Sequence, residues 1–145
     1  GFATLIELTN PSAAFYGVGG ARIASQDGCT IRLDPSGAIS VSVSVGEQGQ
    51  GNDGIYRQIA ADAVGVDLEK VRLVLSDTDV TPYGGGTWAS RGAGVGGEAV
   101  LLAGQALRAN ILKVAAVIAK RWTSPNSGAW PTSARTRCPT TSRPS

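Results

Sequence analysis

The chain has 145 residues, 42% of them apolar and 17% charged, enough for one water-soluble domain with a real core. It contains no histidine, so His-based zinc sites, His triads and His acid/base catalysis are excluded, and Cys29 and Cys138 are far apart without a CxxC pattern. The formal net charge of +2 hides an asymmetry: all eleven acidic residues lie in residues 1–120, while Arg121, Arg135, Arg137 and Arg143 reverse the sign, too scattered a footprint for nucleic acid.

No Met is present, so the chain is expected to start inside something longer rather than at a translation start or signal peptide. Its longest apolar stretch, residues 100–119, is interrupted by Gly104, Gln105, Arg108, Asn110 and Lys113, so no membrane span is expected. Residues 2–8 suit a short strand, ended by the turn residues Asn10, Pro11 and Ser12, and residues 13–16 suit a second strand before Gly17, Gly19 and Gly20. Residues 29–33 alternate into Asp34, Pro35, Ser36 and Gly37. Ile39, Val41, Val43 and Val45 then alternate with Ser40, Ser42 and Ser44. This reads as a β-hairpin with one buried face and a type I turn.

A helix is expected from Asn52 or Asp53, either of which can cap it, burying Ile55, Ile59, Ala60 and Ala63 and stopping at Gly65. Val71, Leu73 and Leu75 mark the next strand. Residues 84–97 carry so little side chain that no packed element is expected there. Residues 98–120 read as a long helix, with Glu98 early and Lys113, Lys120 and Arg121 late, and with apolar residues over much of its circumference. The expected fold is α/β (α+β), a small mixed sheet carrying two main helices. Residues 1–120 would form one domain and residues 121–145 an irregular Ser/Thr/Pro/Arg-rich tail, a disordered linker or, the favoured reading, a stretch read out of frame.

Two segments match the GxGxxG pattern, Gly49 to Gly54 and Gly92 to Gly97. The second follows no buried strand and has no acid about twenty residues on. The first lies between a strand and a helix, with Glu69 downstream, which keeps a noncatalytic dinucleotide- or phosphate-binding module as the alternative function. Against it, a central parallel strand should be almost continuously apolar, and this one alternates with serine. Glycine loops that open helices can press backbone N–H groups against an anion, and two converging on one bulky anionic ligand is the better reading.

More specific than the glycines is the order Glu47-Gln48-Gly49-Gln50-Gly51, Asp77-Thr78-Asp79, Thr81-Pro82-Tyr83-Gly84-Gly85-Gly86-Thr87, Ala89-Ser90-Arg91 and Gly96-Gly97-Glu98-Ala99-Val100. In order and spacing it resembles the molybdopterin-binding large subunits of the xanthine dehydrogenase/aldehyde oxidase-type molybdenum hydroxylases, over roughly residues 1–120. The resemblance implies an oxidoreductase that hydroxylates a carbon of an aldehyde or N-heterocycle with oxygen from water. Electrons would pass to iron–sulfur and flavin domains or subunits.

It further implies a cytoplasmic protein, with the periplasm as the alternative. Gly49 and Gln50, together with Ala89, Ser90, Arg91 and Gly92, would bind the cofactor, with Arg91 either a cation beside it or a surface ion pair. The family's general base, a glutamate near the far end of the subunit, has no counterpart here. No catalytic residue and no metal ligand is therefore assigned, Glu47 is expected to structure its loop, and Glu98 to favour a helix start. With two of several binding loops, the molybdenum cofactor is expected in the parent protein and not on this chain alone. The apolar long helix adds a homo-oligomer as a further expected partner.

Overall fold

A computed structural model describes residues 1–5 and 26–123. The expected strand at residues 13–16, the turn at Asn10, the second half of the 2–8 strand, Cys138 and the tail beyond Thr123 lie outside the described residues. Residues 2–5 form no strand, and Phe2 and Leu5 are exposed. The chain divides into two compact units, Gly1–Leu112 and Lys113–Ser145.

In the first unit, β1 (Cys29–Leu33) and β2 (Ile39–Val43) form the expected antiparallel hairpin. Its turn closes through Gly37 N–H donating to the Asp34 carbonyl at 3.0 Å, while the Asp34 carboxylate accepts from Ser36 N–H at 2.8 Å. Gly37, at φ 84°, takes the left-handed position that lets such a turn rejoin the strand twist. After α1 (Asn52–Val64) and a short 3₁₀ turn (Leu68–Lys70), β3 (Val71–Leu75) pairs parallel to β2, giving the mixed order β1-β2-β3.

The register explains the serine alternation. Ile39 lies beside Leu33 and Val71, Val41 beside Ile31 and Leu73, and Val43 beside Cys29 and Leu75, so every apolar residue of the sheet except Val74, which pairs with Ser42, falls on one face. On the other are Thr30, Arg32, Ser40, Ser42 and Arg72. The strand is central, but among the described residues only one of its faces is packed into the core, and a period of two suffices. Ile39, Val41, Val43 and Val45 are fully buried, each contributing about 1.5–3 kcal/mol. Tyr56, Ala60, Ala61 and Val64 of α1 complete the core with Val71 and Val100.

Two expectations for α1 need correcting. Ile55 and Ile59 are only half-buried, and the large residue driven into the core is Tyr56, one position on from Ile55. The helix is preceded by Gly51 at φ 83° without a side-chain cap from that residue; Asp53 Oδ1 accepts one first-turn donor, Gly54 N–H at 2.7 Å, while the Asn52 amide instead donates to the Gly46 carbonyl. Gly65 ends it in the left-handed conformation, as expected, with its N–H bonded to the Ala61 carbonyl at 2.8 Å.

The glycine-rich stretch also departs from expectation, because Gly92–Gly96 winds as a π-helical turn directly into α2 (Gly97–Thr123). Small residues there permit close approach. A Cβ at Gly96 would lie 2.5 Å from Tyr56 Oη, and one at Gly104 2.6 Å from Ala63 Cβ. Val100, Leu107 and Ile111 reach the core from α2, whereas Leu101, Leu102 and Leu112 are exposed. In the second unit the described residues are the last turns of the helix, where Val114, Val117, Ile118 and Trp122 are all exposed. The segment Gly92–Thr123 is long and apolar enough by length and composition to cross a membrane, against the expectation from its interrupting polar residues; core helices of soluble proteins share that property.

Candidate functional site

The turn between β2 and α1 is organised by Glu47. Its carboxylate accepts from the N–H groups of Gly49 at 2.7 Å, Gly51 at 3.0 Å and Asp53 at 3.1 Å. An upstream side chain thus does most of the capping that sequence assigned to Asn52 or Asp53, with Asp53 Oδ1 taking only Gly54 N–H. Desolvation would raise the Glu47 pKa, but the backbone donors of Asp53, Gly51, Gly49 and Asn52 outweigh it and hold the group below the usual carboxylate range. A helix opening of this kind ordinarily attracts an anion, and here the protein supplies its own.

That finding removes the dinucleotide alternative at the first glycine motif. A pyrophosphate would need the same N–H groups and would meet a carboxylate already bound to them. Gln50 is likewise engaged within its loop: its Oε1 accepts from Gln48 N–H at 2.6 Å, and its Nε2 donates to the Gly46 carbonyl at 3.3 Å. That carbonyl also accepts from Asn52 Nδ2 at 3.1 Å and from the Thr87 hydroxyl at 2.6 Å. Gly46 N–H lies 2.7 Å from Thr87 Oγ1, so Thr87 ties the second glycine loop to the first at one residue.

Besides Ser76, at φ 51°, the non-glycine residues with positive φ among those described lie in the second loop. Ala89 at φ 50° and Ser90 at φ 55° are consecutive non-glycine residues in the left-handed region, costing about 1–2 kcal/mol each. Arg91 follows, fully buried. Its guanidinium donates to Asp27 Oδ2 through Nε at 3.1 Å and Nη2 at 2.8 Å, and through Nη2 to the Gln26 carbonyl at 2.9 Å. Both side chains are at 0% exposure. The surface-pair reading of Arg91 does not survive, because the ion pair is buried and its charge is matched by Asp27. The guanidinium also lies 5.6 Å from the Trp88 ring centre, and Trp88 Nε1 donates to the Gly85 carbonyl at 3.1 Å. Tyr56 Oη donates to the Gly92 carbonyl at 2.8 Å, anchoring the π turn to the core.

Between the two loops is a hollow of about 450 Å³. Gln48, Gln50 and Asn52 border it on one side; Thr87, Trp88, Ala89, Ser90, Arg91 and Gly92 border it on the other. Five of the six residues singled out from sequence therefore line one cavity, and Gly49 sits in the adjoining turn. Sequence reasoning missed Asp27, Asn52, Thr87 and Tyr56 as parts of this construction. Thr87 belongs to the motif that carried the resemblance, but nothing local marks Asp27 as the partner of a residue 64 positions away.

The lining is rich in amides and hydroxyls, with an indole on one wall. That donor and acceptor set suits a flat, hydrogen-bonding heterocycle such as a pterin, while the pairing of Arg91 leaves it less suited to naked phosphate. Outside it, Glu98 is exposed in the first turn of α2, and burial pushes the Cys29 thiol up to about 12, making it a poor nucleophile.

Comparison with known proteins gives consistent results. The family described as molybdopterin cofactor-binding domain matches residues 1–132. The carbon monoxide dehydrogenase large chain of Hydrogenophaga pseudoflava is 38% identical over 90 residues, 62% of this chain and 11% of that protein. The nicotine 6-hydroxylase large subunit of Paenarthrobacter nicotinovorans is 29% identical over 116 residues, 80% of this chain and 14% of that one. The crystal structure of quinoline 2-oxidoreductase from Pseudomonas putida 86 superposes with a TM-score of 0.63 and 34% identity over 70% of this chain and 13% of the other. The chain thus spans between about a ninth and a seventh of the length of these relatives.

Proposed function

This chain belongs to the molybdopterin cofactor-binding domain family, and from that premise we propose that it supplies two walls of the cofactor site in the large subunit of a molybdenum hydroxylase. The observation that carries the reading is the shared hollow, where the turn holding Gln50 meets the loop holding Ser90. When bound, the molybdenum cofactor would supply the redox chemistry that exchanges a carbon–hydrogen bond for a carbon–oxygen bond with water as the oxygen source.

The role of this chain's residues is to bind and orient. On one wall the amides of Gln48, Gln50 and Asn52 offer donors and acceptors to the edge of a pterin; on the other are the Ser90 hydroxyl and the backbone from Ala89 to Gly92. Ala89 and Ser90 hold left-handed conformations, at an energetic cost, where this wall borders the cavity. No residue here is assigned to proton transfer, because Glu47 is consumed by its turn and Glu98 stands at a helix start.

Among substrates, an electron-poor N-heterocycle is favoured, since two of the relatives described above are named for nicotine and quinoline. Partners would be iron–sulfur and flavin domains or subunits that accept the electrons. Binding energy for a large anionic cofactor would be divided among several loops, of which two are here, so the chain alone should contact a pterin weakly and not retain the cofactor.

Calorimetric titration tests this reading. The 145-residue chain should bind 6-hydroxymethylpterin weakly and NAD not at all, and metal analysis after desalting should find far less than one molybdenum per chain. Stoichiometric, tight NAD binding would overturn the proposal.

A further inference from the structure

Asp27 lies outside both glycine loops and outside the residues bordering the hollow, yet its carboxylate grips the second loop at two places. Its Oδ1 accepts from Gly85 N–H at 3.0 Å and from Ser44 Oγ at 3.1 Å. Its Oδ2 accepts from both Arg91 Nε and Nη2. Gly85 and Arg91 flank the segment that contains Thr87, Trp88 and the left-handed pair Ala89 and Ser90. One buried carboxylate therefore spans the two ends of the wall, and Ser44 fixes that carboxylate to the end of β2.

We infer that Asp27 is a positioning residue for the cofactor-facing wall: by clamping Gly85 and Arg91 together it holds Ala89 and Ser90 in the conformation that faces the hollow. This rests on the proposed function for its purpose, but the clamp itself is a property of the ligand-free chain. The geometry favours a clamp over a general stabilising pair for two reasons. Both carboxylate oxygens are used, each on a different end of the same loop. The strained backbone is also enclosed between those ends, where relaxation would otherwise pull them apart.

Such a role predicts local effects. In the wild-type chain, the amide protons of Ser90, Arg91 and Gly92 are followed by hydrogen exchange beside those of Val41 and Val43 in β2. The chain is then titrated with 6-hydroxymethylpterin while amide resonances are recorded. The comparison variants are Asp27→Asn and the paired change Asp27→Leu with Arg91→Met, which removes both charges and keeps the site filled should the single change prevent folding.

Exchange at residues 90–92 should rise at least about tenfold more than exchange at Val41 and Val43 of β2, and the pterin-induced shifts of residues 89–92 should disappear. Equal acceleration in β2 and the wall would overturn the inference, reducing Asp27 to global stability. Unchanged protection of the wall, or unchanged pterin shifts, would also overturn it. If the wild-type chain shows no pterin shifts, the proposed function fails, and the exchange measurements alone then decide whether the clamp exists.

Discussion

The two glycine-rich loops look alike as strings and differ in what their glycines do. In residues 46–51, Gly49 and Gly51 have positive φ and open space around them, and their N–H groups are collected by the Glu47 carboxylate. In residues 92–97, Gly92, Gly96 and Gly97 are needed for close approach, to Asn52, to Tyr56 and to Ile59 respectively. One loop uses glycine for conformation and the other for space. In the segment leading into it, positive φ falls on Gly86 and also on the non-glycine residues Ala89 and Ser90. A shared GxGxxG pattern is therefore no evidence of a shared role.

The contrast predicts unequal responses to substitution. The largest loss should come from Asp27→Asn, which leaves the Arg91 guanidinium buried beside a neutral partner and should cost about 3–5 kcal/mol in denaturant unfolding. A drop of under about 1 kcal/mol would mean that the second loop is held by other contacts. Gly96→Ala comes next: its new Cβ would stand 2.5 Å from Tyr56 Oη and 2.9 Å from Val45 Cγ2. The overpacking should cost about 1–3 kcal/mol and loosen the π turn.

Gly49→Ala, with nothing within 4 Å of the new atom, should cost about 1–2 kcal/mol through its positive φ alone. Combining Gly96→Ala with Tyr56→Phe should recover part of the first loss, whereas no change of neighbour should recover the Gly49 loss. Were both glycines rescued by trimming a neighbour, the distinction between the loops would fall.

The smallest effect belongs to Glu47→Gln, because the carboxylate is at the surface. Its pKa is lowered in the folded chain, so its contribution is present above the ordinary carboxyl range and is lost as pH falls through the folded value. Wild-type stability should therefore decline on acidification by more than that of the glutamine variant, with the two unfolding curves converging at low pH. Parallel curves would place the capping of α1 elsewhere.

Much of the architecture is legible in the sequence because it depends on local periodicity. The hairpin follows from alternation on both sides of Asp34 and Gly37, and the end of α1 from Gly65. What was not legible depends on distant partners. Tyr56 is buried because Gly96 has no side chain to exclude it, forty residues away. Capping by Glu47 escapes a rule that looks for the cap at the first helical residue. Most residues bordering the hollow were singled out through the order of short motifs, but their internal pairing was not, because Asp27 and Arg91 are brought together only by the sheet and loop between them.

The most direct test of the shared hollow is a two-dimensional amide spectrum of the chain titrated with 6-hydroxymethylpterin. Residues 48–52 and residues 87–93 should shift together, with one common dissociation constant. Shifts confined to one loop, or centred on the separate cleft around Ile59, Asp62 and Leu101, would contradict the account.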